Sequence, residues 1–258
     1  VFLAALGAAI LLAVLLIFRE SLPAESRTAG GLSHFGANVR VLVADRRFLG
    51  PALTMSFLNG AVFAYLGGAT FVLQGIYQLT PQQYSYAFGL GSLAYVVSGF
   101  VSGRLSERWS SGGTLALGLI LAVTGTFGIL VTGIAGLPLW VILASIVLMT
   151  SGVATSTPPA TAIALADYAQ MAGTAASLLG LGRYAFGAIA APLVGLPGEN
   201  TAVPLGVVTL ACSILAVASF LLSRPPRHSQ VGSSHQSVEM VPVGYLRHWS
   251  RPMADCSD

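Results

Sequence analysis

Lysine is absent from the 258 residues, and charge of either sign is scarce: Asp, Glu, Lys and Arg together make up 8% of the chain. Ordinary globular domains carry about 25%, so this composition cannot coat a water-soluble surface. Cysteine is nearly as rare. Cys212 sits inside an apolar run and Cys256 near the end of the chain, which argues against a disulfide framework and leaves no zinc spacing. No nucleophile–base set, phosphate-binding glycine loop or metal-ligand cluster is legible, so no enzyme activity, metal or cofactor is expected. The twelve cations, all arginine, are not gathered on one soluble face as a nucleic-acid binder would gather them.

Apolar residues are abundant instead, at 55% of the chain. In lipid, an apolar exterior is what the solvent demands, and backbone polar groups must be satisfied within each helix. The expected class is therefore all-α, a polytopic transmembrane helix bundle. Runs of about 18 apolar residues mark spanning helices. Seven can be read: 1–18, 50–76, 84–103, 113–134, 137–164, 172–195 and 202–223. The first resembles a helix more than a signal peptide, since it lacks a positive leading region. Pro158 and Pro159 predict a kink or break in the fifth.

The arginines divide the connections into two sets. Arg19, Arg27, Arg40, Arg46 and Arg47 lie between the first two spans, Arg104 and Arg108 between the third and fourth, and Arg224, Arg227, Arg247 and Arg251 after the last. The alternate connections, near Pro81, Gly136 and Gly198, hold none. Under the positive-inside rule the arginine side is cytoplasmic. The expected plan is a membrane helix over 1–18, a cytoplasmic linker over 19–48, a six-helix unit over 49–223 and a disordered cytoplasmic tail over 224–258. The six helices read as two triplets, each opening on a polar-dotted helix, a pattern that builds many transporter halves.

Polar groups inside spans are costly and usually face a bundle interior or a wet cavity. Asn59, Tyr65, Gln74 and Tyr77 share one span and could contact a substrate or make interhelical hydrogen bonds. Arg183 stands about 16 Å into its span, near the expected midplane, with Tyr184 beside it. A charge at that depth needs a partner or water, and no carboxylate in these spans has a matching depth. Small residues at four-residue spacing (Gly60, Ala64 and Gly68; Gly99 and Gly103; Gly173 and Ser177) predict close helix packing.

Three stretches carry a resemblance to a known family. They are Glu20-Ser21-Leu22-Pro23, then Phe71-Val72-Leu73-Gln74 running into Leu79-Thr80-Pro81-Gln82-Gln83, and Pro159-Ala160-Thr161-Ala162 followed by Ala172-Gly173-Thr174-Ala175-Ala176. Together they resemble the Bcr/CflA-type multidrug transporters of the major facilitator superfamily. The resemblance implies that the seven spans correspond to helices six to twelve, the C-terminal half plus one preceding helix, with five N-terminal helices missing. It implies a secondary active transporter that exports small amphipathic compounds or drugs across the inner (plasma) membrane in exchange for protons, with the proton-coupling acid in the missing helices. The alternatives are a truncated, transport-inactive membrane protein or a carrier for another small molecule. The partners implied are a small-molecule substrate, protons, the lipid bilayer and the missing helices. The substrate-binding candidates are Asn59, Tyr65, Gln74, Arg183 and Tyr184; the resemblance leads one to expect glutamine near position 183. Gly103, Arg104, Glu107 and Arg108 resemble the superfamily's cytoplasmic loop signature, in which an acid–arginine set latches helix ends and gates access.

Overall fold

A computed structural model describes residues 2–17, 32–195 and 201–223, which are helical apart from short connections. The expected tail over 224–258 and the linker up to residue 31 lie outside them. Eight α-helices follow in chain order: α1 Phe2–Ile17, α2 Leu32–Ala44, α3 Arg46–Thr70, α4 Pro81–Arg108, α5 Ser111–Ala135, α6 Leu139–Leu165, α7 Ala172–Gly195 and α8 Val203–Ser223. A π-helical segment, Phe71–Ile76, prolongs α3.

Among the described residues, six helices are long and apolar enough to cross a membrane: α3 with its π segment, and α4 to α8. Of the first expected span, the apolar helix α1 is described over 16 residues; residue 1 and residues 18–31 lie outside the described residues. The stretch read as linker contains α2, and the next helix begins at Arg46 rather than residue 50.

Helix ends are set locally. Asp45 caps α3 by accepting from the Arg47 amide at 2.9 Å. Thr80 and Gln83 form a reciprocal capping box at the start of α4, with the Gln83 amide 3.3 Å from the Thr80 hydroxyl and the Thr80 amide 3.0 Å from Gln83 Oε1. Pro81 occupies the first turn, where no amide is needed. The Leu79–Gln83 stretch that carries part of the family resemblance is thus a helix start. Gly136 ends α5 at φ 61°, a left-handed position that costs glycine little.

The helices pack closely, but not always at the expected rows. Gly60 and Gly68 face α7 and α8: a Cβ on Gly68 would sit 2.8 Å from Val194. A Cβ on Gly99, Gly103 or Gly173 would meet nothing within 4 Å, so these three make no close approach to a neighbour among the described residues. Spacing alone does not separate these rows, because it does not say which face meets a partner. Backbone closes on backbone where α5 crosses α6: a Cβ on Gly125 would lie 2.3 Å from the Met149 amide and one on Gly152 2.3 Å from the Ala122 amide.

α6 runs as one helix through Pro158 and Pro159, so the expected break is not found. Pro159 leaves the Thr155 carbonyl without its helical donor. The Ser102 hydroxyl of α4 donates to that carbonyl at 2.6 Å, in a buried setting. A neighbouring helix thus supplies the missing bond, as membrane helices require.

Candidate substrate site between α3 and α7

α7 is brought against α3 by glycine. A Cβ on Gly182 would lie 2.5 Å from the Ser56 hydroxyl, and one on Gly187 2.5 Å from the Phe63 ring. Phe57 and Phe186 pack edge to face at 4.7 Å between them. This approach places Arg183 over Asn59. The Asn59 amide nitrogen donates to the Met55 carbonyl at 3.0 Å, leaving its oxygen free to accept from Arg183 Nη2 at 3.3 Å. Arg183 is half-buried, near the middle of the 24-residue α7.

A guanidinium has five donors and permanent charge, and Asn59 is neutral. The carboxylates among the described residues are Asp45, Glu107 and Asp167, all at helix ends. Arg183 therefore meets an amide and no acid within the described bundle. Chemically, the pair presents an unspent cationic fork at mid-span, able to accept an anion, a zwitterion or an ionised carboxyl group.

The remaining candidates separate. Tyr65 lies one face round α3, is 4% exposed, and lines a different cavity, between α3, α4 and α6. Gln74 is half-buried in the π segment, about 20 Å along the helix from Asn59. Tyr184 is exposed and packs edge to face on Phe63 at 6.0 Å. Tyr77 ties the end of the π segment to the α5–α6 connection, its hydroxyl donating to the Leu137 carbonyl at 2.8 Å.

Gly103, Arg104, Glu107 and Arg108 occupy the last turns of α4, not a loop, and all four are exposed. The guanidinium of Arg104 lies over the Phe100 ring at 4.4 Å. Neither Arg104 nor Arg108 pairs with Glu107 among the described residues. The contacts at this end lie elsewhere. The Tyr168 hydroxyl donates to the Asp45 carboxylate, the Tyr168 ring packs edge to face on Phe48 at 5.6 Å, and Arg47 stands 3.9 Å from Asp167. Burial, followed by the bond to Asp45, pushes the Tyr168 phenol up to about 12. The same bond holds Asp45 below its ordinary value. Sequence reading passed over this cluster, although an acid one residue before a helix is a capping signal.

The family model described as Major Facilitator Superfamily matches residues 1–192. Over 215 residues the chain is 31% identical to the uncharacterized MFS-type transporter YdgK of Bacillus subtilis, covering 83% of this chain and 53% of that one. Over 213 residues it is 28% identical to the bicyclomycin resistance protein homolog of Haemophilus influenzae, covering 82% and 54%. The chain spans about half the length of the curated relatives it matches. With six membrane-length helices among the described residues, an arginine-marked side and a family match over residues 1–192, the chain belongs to the major facilitator superfamily.

Proposed function

We propose that this chain forms the C-terminal part of a secondary active exporter for small amphipathic compounds, driven by proton exchange through alternating access. The observation that carries the reading is the Arg183–Asn59 pair: a charge held at mid-span by a neutral amide. A charge at that depth is costly unless it works in a wet cavity or meets a ligand, and midplane sites between rocking bundles are how such transporters hold substrate. The name of the Haemophilus influenzae relative, a bicyclomycin resistance protein homolog, supports drug export as the class. The positive-inside rule supports the arginine side as cytoplasmic, in the inner membrane that the family resemblance implies. The proton-accepting acid belongs to other helices of the whole transporter, since the carboxylates among the described residues, Asp45, Glu107 and Asp167, stand only at helix ends.

Arginine keeps its charge, so it cannot itself carry the proton. Its role is to attract the polar end of the substrate or to depress a carboxylate presented by the other helices. Transport by the full-length protein in proteoliposomes under an imposed pH gradient tests this. Arg183→Gln should keep the fold and weaken anionic or zwitterionic substrates by about ten- to a hundredfold, the range for a hydrogen bond to a charged group. Arg183→Leu should lose transport. Wild-type rates and pH dependence for every substrate in Arg183→Gln would make the residue structural.

A further inference from the structure

The Tyr65 cavity lies apart from the Arg183–Asn59 pair, where α3, α4 and α6 meet, and measures about 230 Å³. Tyr65 and Leu66 of α3, Phe88, Gly91 and Tyr95 of α4, and Thr150 of α6 line it. Leu66 stands seven residues from Asn59, about 10 Å along the helix.

The volume sets a lower bound on what fits. An enclosed cavity of about 150 Å³ holds benzene, and this groove is larger and open on the side of the exposed Leu66, Phe88 and Val96. A substituted ring therefore fits. Three aromatic side chains in the wall favour edge-to-face contact with such a ring, and no charged residue lines the cavity. The hydroxyls differ in what they have left to offer. Thr150 and Ser92 each donate to a carbonyl of their own helix at 2.9 Å. The Tyr65 and Tyr95 hydroxyls make no hydrogen bond among the described residues; Tyr95 is half-buried, while Tyr65 is 4% exposed, and a buried tyrosine usually finds a partner.

We propose that this cavity is a subsite for a neutral aromatic ring bearing a hydrogen-bond acceptor, which receives the Tyr65 hydroxyl's hydrogen bond. The subsite rests on the transport reading above and adds to it: Arg183 selects a polar end of the substrate, and this cavity an aromatic one.

The probe is 4-fluoronitrobenzene, followed by fluorine NMR on the full-length protein in nanodiscs. Nitrobenzene should displace it and nitrocyclohexane, with the same acceptor but no aromatic ring, should not. Tyr65→Phe should weaken binding about three- to tenfold, one neutral hydrogen bond, without moving the thermal midpoint, since the hydroxyl bonds nothing within the described bundle. Gly91→Leu should abolish binding by filling the cavity; a Cβ there meets Ile146 at 3.9 Å, an ordinary contact. If Gly91→Leu does not fold, Tyr65→Phe decides. Equal displacement by nitrocyclohexane, or unchanged affinity in Tyr65→Phe, would overturn the subsite. Proton-driven transport that persists in that case leaves the transport reading standing. Probe binding without transport of any substrate defeats the transport reading and leaves the cavity as a ring-binding site.

Discussion

At the residue scale, the polar side chains divide by what they bond. Many serine and threonine hydroxyls donate to a carbonyl four residues back, as Thr126 does to Ala122 at 2.9 Å, and so cost little in lipid. A few side chains reach other helices or connections: Ser102 to Thr155, Arg183 to Asn59, Tyr168 to Asp45. The last of these has a pH signature. Tyr168 is raised from 10.0 to about 12, so its contribution to stability is full below pH 10 and is lost as pH rises from there through about 12. Asp45 is lowered, so its contribution is present above the ordinary carboxylate value of about 4 and is lost as pH falls below it. The thermal midpoint in detergent should therefore decline at both extremes. Tyr168→Phe should flatten the alkaline decline and shrink the acid one. An unchanged profile would mean that the contact does not persist in solution. The Arg47–Asp167 pair is well exposed on both sides and should add little, with any effect screened by salt.

At the scale of the element, close approach separates glycines that sequence spacing treats alike. Gly152→Ala drives a methyl group into the Ala122 backbone and should cost about 1–3 kcal/mol, the range for overpacking. Gly103→Ala meets open space and should be neutral or stabilising by up to about 1 kcal/mol through helix propensity. Thermal unfolding of the two variants side by side checks the contrast; equal effects would contradict the α5–α6 crossing. The end of α4 carries a second prediction. Glu107 and Arg108 are exposed and unpaired with each other, so they are free to meet a partner from the other helices of the proposed whole transporter. Replacing both with alanine should slow transport per folded molecule while leaving expression and thermal midpoint near wild type. Unchanged transport would count against a gating role.

At the scale of the whole molecule, contacts at the two ends agree with an alternating path. Arg47 and Asp45 at the start of α3 meet Asp167 and Tyr168 between α6 and α7, while Tyr77 beyond the other end of α3 meets Leu137 between α5 and α6. The first set lies on the arginine side and the second on the arginine-free side. Cysteines introduced at Ser33 and Ser233 should therefore resist an impermeant thiol reagent in intact cells and react after permeabilisation. Labelling of either from outside would overturn the orientation. α4 and α7 bury the smallest shares of their spans among the six, which leaves their faces for lipid or for further helices, as relatives about twice this length would supply.

The amino-acid sequence by itself determined the class, the six membrane spans to within a few residues, the alternation of their ends and the presence of a charge at mid-span. Each depends on local quantities: run length, hydropathy, caps and the distribution of arginine. Tertiary structure decided which polar groups meet. Asn59 and Arg183 are 124 residues apart, and their contact depends on the rotation of two helices and on Gly182 and Gly187 letting the backbones close. The bond from Ser102 that keeps α6 continuous past its prolines, and the separation of Tyr65, Gln74 and Tyr184 from the pair, have the same origin. A span's position in sequence sets depth, but only packing against its neighbours sets the direction in which each side chain points.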